Sequence, residues 1–391
     1  MQHEQPDASL TPNLPANLPT KLPTDRRAML AGIGGLAAGA LLVGKAHAGP
    51  LNPPAGPIAP TPGPEPRTAI NATNTPGDAD SLFKITQPGS YYLTGNITGV
   101  AARHAIEIAA SDVTFDLAGF ALQGVPAALN GVHVSTSVSN LELRGGHVSG
   151  FGGTGINAGG ASNARIHSLG SFDNAGNGFL TSGGAVIRDC IATSNASNGF
   201  LIGPGASIRD CAARSNGDFG FNLGASSSVS GCTAQDNTLD GFDGSFSCTF
   251  IGCASYDNGG VGIDASTGSL VADCAVRLNG LDGIRVGLES LVRSNTCTSN
   301  GESGVGANIR VTGGDNRIDG NNCTRGDYGI DVDVSGNFIT RNTCSGNTTA
   351  NFNIAAGNVC LAVSAATTAG FSASAGGVPP GSTDPNANFS Y

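Results

Sequence analysis

From Ile166 onward the apolar positions recur at a spacing far longer than a helix or strand period. Ile166, Ile187, Ile208, Val229, Phe250, Val271 and Val292 stand 21 residues apart. Leu143 precedes the series by 23 residues, and Ile318 and Ile339 extend it by 26 and 21. Such a period marks a stack of supersecondary units, each burying its few apolar side chains against the next copy. Twelve positions past this origin stands a glycine (Gly155, Gly178, Gly199, Gly220, Gly241, Gly262, Gly283, Gly304), with Gly329 one residue early. An apolar residue follows each, as in Phe179, Phe200, Phe221, Phe242, Ile263 and Ile284. Phe and Ile share this column, so it reads as an inward core stack rather than a sugar-stacking platform.

The pattern predicts an all-β fold, a right-handed parallel β-helix. It should hold ten to twelve coils of about 21 residues, with three short strands per coil between about residues 105 and 355. SYYLTGNITGV and the alternation in AIEIAASDVTFDLAGFAL read as strands that start and cap it. Eight positions past the origin run Asn174, Asn195, Asn216, Asn237, Asn258, Asn279 and Asn300, with Asn347 in the last coil. An Asn can take a left-handed turn and bond through its amide to the Asn above and below, so this column predicts a corner ladder. At the coil of Ile318 the position is Gly326, which keeps the turn without the amide.

Cysteine changes the picture less than its number suggests. Cys190, Cys211, Cys232, Cys253 and Cys274 sit three past the origin, and Cys297, Cys323 and Cys344 five past it. Stacked Cβ atoms about 4.8 Å apart lie outside disulfide range, so the expectation is a buried ladder of free thiols on one strand. Without CxxC or a histidine in phase, zinc is not indicated. Cys248 and Cys360 fall outside these two phases.

The chain has 60 glycines, 12% charged residues and no Trp, too little bulk for a wide globular core. Residues 1–23 are polar and proline-rich. Arg26-Arg27, an apolar run from Ala28 to Gly44 diluted by five glycines, and Ala46-His47-Ala48 follow. These features resemble a twin-arginine export signal, with Asp25 where a Ser or Thr usually precedes the arginines. The resemblance implies an exported protein, periplasmic or extracellular, with residues 1–48 removed and no transmembrane span in the mature form. Residues 49–66 hold eight prolines and read as a linker, 67–360 as the solenoid with its N-terminal cap, and 361–391 as a C-terminal cap or tail. Cleavage would take Lys21, Arg26, Arg27 and Lys45 from 19 basic residues, and Glu4, Asp7 and Asp25 from 29 acidic ones. That leaves 15 against 26, a net of −11. This charge excludes a phosphate-tracking nucleic-acid binder and makes a polyanionic glycan an awkward partner unless a cation bridges the two.

Over about residues 67–352, the columns and segments such as ITQPGSYYLTGNITG and SDVTFDLAGFAL resemble the bacterial β-helix repeat proteins of the pectate-lyase-like superfamily. The resemblance implies the fold and a link to polysaccharide or envelope glycan. It does not imply one activity, because this fold hosts lyases, hydrolases, epimerases and non-catalytic surface proteins. The Asn-Thr-Asp, Asp-Asp and Gly-His-Gly of its galacturonan hydrolases and the Asp-Pro-His of its mannuronan epimerases do not occur in this chain. Several β-helical lyases use a lysine base, whereas Lys84 is expected in the N-terminal cap, outside the stack. His104, His133, His147 and His167 are expected to be solvated or packed.

Candidate chemistry lies fourteen past the origin, on outward positions. Leu180, Leu201, Asn222, Asp243, Asp264, Arg285, Gly306, Asp331 and Asn353 run in file, with Asp240 and Asp282 beside them. In-register stacking puts Asp243 and Asp264 about 5 Å apart, so that one carboxyl is raised, shares a proton or holds a cation. Asp243, Asp264 and Asp240 are candidate calcium ligands, and the adjacent glycines would leave a bare floor for a polymer. The resemblance to pectate lyases implies catalytic roles for Asp243, Asp264 and Arg285, with Ca²⁺ acidifying a uronate and the arginine taking its proton. No cofactor is otherwise required. A single Gly259–Asp264 match to a calcium-binding nonapeptide adds little. Two functions remain: an exported β-helix protein that binds polysaccharide or an envelope surface without catalysis, or a polysaccharide lyase or hydrolase acting along this column. The plain alternative is a solvated polar face. Arg188 and Arg209, beside Asp189 and Asp210, read as a surface ion-pair ladder.

Overall fold

A computed structural model describes residues 67–135, 137–301, 304, 306–360, 362–364 and 385–391. The export segment of residues 1–48, the linker of 49–66 and much of the 361–391 tail lie outside the described residues. The described chain is a right-handed parallel β-helix, and no helix occurs in it. One wall is a thirteen-stranded parallel sheet, and two further walls run together as a 26-stranded assembly. A typical coil, Phe200–Ile202, Ser207–Arg209 and Ala212–Arg214, gives one strand to each wall. Thirteen rungs exceed the ten to twelve expected, because the strand Ser81–Ile85 adds a rung before residue 105. With rungs spaced about 4.8 Å, the stack spans about 60 Å.

The core follows the columns. Phe179, Phe200, Phe221 and Phe242 are in register and fully buried, with ring centroids 4.8, 4.7 and 4.8 Å apart. The rings lie nearly face to face because the rung spacing imposes it, and Phe250 closes the file edge-on at 5.9 Å.

Each coil turns at three corners, and the asparagine corner corrects one expectation. The left-handed residue is the one before each Asn: Asp173, Ser194, Ser215, Asp236, Asp257, Leu278 and Ser299, with φ between 51° and 56°. The asparagines supply the amide ladder alone. Asn237 Oδ1 accepts from Asn216 Nδ2 at 2.9 Å and from the Asn216 backbone N–H at 3.1 Å. Asn237 Nδ2 donates to Asn258 Oδ1 at 2.8 Å. Nor does the ladder stop at Gly326. Asn308, from the longer coil, accepts from Asn300 Nδ2 at 2.9 Å and donates to Asn347 Oδ1 at 3.0 Å. A Cβ at Gly326 would come within 2.7 Å of the Asn308 amide nitrogen, so the glycine makes room for the substitute.

The thiols are buried and unpaired, Cys360 being half-buried. They do not share one strand. Cys190 to Cys274 line a corner, whereas Cys297, Cys323 and Cys344 succeed Ala192, Ala213, Ala234, Ser255 and Val276 within the next strand. The corner then changes residue type: Cys274 N–H donates to Asn295 Oδ1, and Asn295, Asn321, Asn342 and Asn388 continue as a second amide ladder. Cys248 belongs to a third corner, where its N–H donates to Ser269 Oγ and the column passes through Ser290 to Asn316 and Asn337. Cys360 pairs with Ile339, so it stands at the coil origin of the last rung. At the C-terminal end the strand Asn388–Ser390 lies on Thr343–Ser345.

Candidate functional site

The outward middle position of the thirteen-stranded wall forms one unbroken file. Lys84, Glu107, His133, Asn157, Leu180, Leu201, Asn222, Asp243, Asp264, Arg285, Arg310, Asp331 and Asn353 are paired in register from rung to rung. Between the terminal rungs the inward neighbours on either side of each, such as Phe242 and Gly244 around Asp243, are buried and hold the strand in place. Asp243 and Asp264 therefore meet as expected, and Arg285 follows on the next rung. The position assigned to Gly306 belongs to Arg310, because the long coil between Val292 and Ile318 displaces the count.

Asp240 reaches into the same group from the corner. Carboxylate oxygens of Asp240, Asp243 and Asp264 lie within 4.8 Å of one another. Arg285 bonds to Asp264 through Nη2 and, at 3.2 Å, through Nε. Asp240 Oδ1 accepts the Val261 N–H at 2.6 Å. Burial pushes the Asp240 carboxyl up to about 6, against that hydrogen bond and with help from Asp264. Burial and then Asp264 also raise Asp243, and burial raises Asp282 and Asp331. Asp282 is buried and its Oδ1 accepts the Ala307 N–H at 2.9 Å. Arg310 sits between Asp331, at 4.0 Å, and Asp333, at 3.1 Å. The arrangement offers the Asp243 and Asp264 carboxyl groups to a hard cation, an Asp240 that keeps its proton to about pH 6, and guanidinium donors on the following rungs.

The glycine column is not the bare floor the sequence suggested. These glycines are buried beside the amide ladder: a Cβ at Gly241 would lie 2.8 Å from Asn258 Nδ2 and 2.7 Å from the Gly262 carbonyl oxygen. They serve the interior, and the approach to the site is set by the outward side chains alone.

Lys84 was expected in the cap, outside the stack, and stands within the stack. Lys84 is the first rung of the file, bonded to Asp78 at 2.7 Å and buried Glu107 at 2.8 Å, which hold its ammonium well above its usual pKa. It is thereby a poor base. His133 stacks on His104 with centroids 4.1 Å apart. Burial lowers both imidazoles, His104 to about 4. Arg188 pairs with Asp189 at 2.7 Å on another wall, as a surface ion pair.

These features define the class as a right-handed parallel β-helix with a polar file along one wall. The family model described as "Right handed beta helix region" matches residues 93–239. Among solved structures, the chain is similar to the A-module of mannuronan C-5 epimerase AlgE4 from Azotobacter vinelandii, with a TM-score of 0.57 at 16% identity over 70% of this chain and 91% of that one. The AlgE6 A-module from the same organism gives a TM-score of 0.53 at 19% identity over 70% and 90%. At such identities the likeness is one of fold. No curated protein matches the sequence.

Proposed function

We propose that this is an exported β-helix protein that binds polysaccharide along the outward file of its thirteen-stranded wall, at the Asp240, Asp243, Asp264 and Arg285 rungs. The observation that carries the reading is the in-register meeting of Asp243, Asp264 and Arg285, with Asp240 close by. A flat parallel wall presents donors and acceptors at a constant rung spacing, which suits a repeating polymer. Similarity to modules named for mannuronan epimerisation supports a glycan as the repeating partner. Ca²⁺ fits the three-carboxylate group and would bridge it to an acidic sugar. A glycan array probed with and without calcium tests this, together with the thermal shift in millimolar calcium. Calcium should raise the melting temperature, and Asp264→Asn should abolish the rise. No bound glycan and no calcium shift would leave the file as a solvated face.

One observation favours a catalytic variant, a lyase or hydrolase. Asp240 holds its proton to about pH 6 within reach of Asp243 and Asp264, and Arg285 stands on the adjoining rung. Those are the parts of a proton donor beside an electrostatic clamp. Release of reducing ends or unsaturated products from an array-positive glycan, lost in Asp240→Asn with binding retained, would establish it; binding without turnover would eliminate it.

A further inference from the structure

The fold also gathers positive charge at one place on a different wall. Arg317 and Asp319 lie on the strand Arg317–Asp319, Arg341 stands at the corner one coil later, and Arg293 is the in-register neighbour of Asp319. Asp319 is 7% exposed, although it occupies an outward position, because the two guanidiniums close over it. Arg341 donates to it through Nε at 2.7 Å and through Nη2, and Arg317 donates through Nε at 3.1 Å and Nη2 at 2.9 Å. Arg317 is braced from beneath by the Phe338 ring, 5.3 Å from its centroid.

Each of these arginines thus spends Nε and Nη2 on Asp319 and keeps the remaining donors for something else. Arg293 is exposed and makes no ion pair among the described residues. Arg293, Ser294, Asp319, Gly320 and Arg341 line a cavity of about 370 Å³ that opens to solvent. Three guanidiniums around one carboxylate leave an excess of two positive charges in a chain whose net charge is −10. Asp273 stands one rung before Ser294 at the same corner, and its backbone N–H donates to the Arg293 carbonyl at 3.2 Å.

We propose that this cavity is an oxyanion-binding site in which Asp319 is a positioning residue that fixes Arg317 and Arg341, while Arg293 and Arg341 grip the ligand. The ligand class is a carboxylate or phosphate group, free or carried on a glycan. Planar guanidiniums bind such groups bidentately, and donors already locked by a buried carboxylate lose little freedom on binding. The site stands independently of the outward file, so the failure of either is distinguishable from the failure of the other.

The test uses the purified exported chain and calorimetric titration at fixed ionic strength, with inorganic phosphate in one arm and a uronic-acid oligosaccharide in the other. Arg293→Gln, which removes no internal partner, should weaken binding about tenfold, and Arg341→Gln at least as much. Asp319→Asn should also weaken binding, although it makes the site more positive, whereas a purely electrostatic patch would bind more tightly. Binding in both arms identifies a general oxyanion site, and binding only of the oligosaccharide identifies an anionic sugar. Absence of binding in both arms, or binding unchanged in Arg293→Gln and Arg341→Gln, would overturn the assignment.

Discussion

Two faces of the same strands obey different rules. Inward, the thirteen-stranded wall repeats Phe179, Phe200, Phe221 and Phe242 and then Ile263 and Ile284; outward, one residue along, it runs Leu180, Leu201, Asn222, Asp243, Asp264 and Arg285. A side chain stacked on its own copy must match that copy in size and rotamer, so the inside is monotonous. Nothing imposes identity on the outside. Change there is inexpensive, and departure from monotony is where function can be written.

The largest test of this contrast is a pair of truncations in one strand. Phe221→Ala opens a cavity within the ring file and should cost about 3–5 kcal/mol in denaturant unfolding. Asn222→Ala, next door and outward, should stay within about 1 kcal/mol. Equal costs would erase the distinction between the faces.

The asparagine corner gives a middle-sized effect. Removing the Asn237 amide breaks its bonds to Asn216, Asn258 and the Ala213 carbonyl. Asn237→Ala should therefore destabilise by about 1–3 kcal/mol. Because the left-handed residue is Asp236, Asn237→Gly should gain nothing over Asn237→Ala, whereas Asp236→Gly should be nearly neutral. A clear advantage for Gly at 237 would return the strained turn to the asparagine.

The thiols sharpen the inside of the comparison. Cys211 is raised by its hydrogen bond to Cys190 and then by burial, and Cys232 by its bond to Cys211 and then by burial. Folded protein at pH 8 should label slowly at every cysteine except half-buried Cys360, with prompt labelling after denaturation. Prompt reaction of Cys211, Cys232 and Cys253 in the folded state would place them outside.

The smallest effect is a pH slope. Asp240 titrates near 6 when folded and at its ordinary 3.8 when unfolded, so the folded state keeps the proton longer. Stability from this group is full below the unfolded value and is lost as pH rises through about 4 to 6. Asp240→Asn should flatten that part of a melting-temperature profile, and an unchanged slope would mean that another group titrates there.

What the sequence disclosed, and what it hid, follows from the same physics. Columns at a constant 21-residue step announced the Phe file, the Asn ladder and the Asp243–Asp264–Arg285 meeting. The upper part of the file was hidden because Lys84, Glu107, His133 and Asn157 are spaced 23, 26 and 24 residues apart. Each corner insertion lengthens a coil without disturbing the register, so a fixed period loses it. Gly306 was counted into the column for the same reason, where Arg310 stands. The second and third amide ladders were concealed by substitution along a column, with Cys274 handing over to Asn295 and Ser290 to Asn316. Asn308 stepping in for Gly326 joins positions that only the folded coil brings together. The arginines around Asp319 come from three coils, one of them lengthened, and no spacing links them.

The most direct measurement compares two double variants of the intact chain against the same bound glycan. Asp243→Asn with Asp264→Asn alters the outward file, and Arg188→Gln with Arg209→Gln alters two in-register arginines on another wall. With melting temperatures matched, the first should lose binding by about tenfold or more and the second should bind as wild type. Wild-type affinity in the first, or an equal loss in both, would contradict the assignment of the binding face to the outward file.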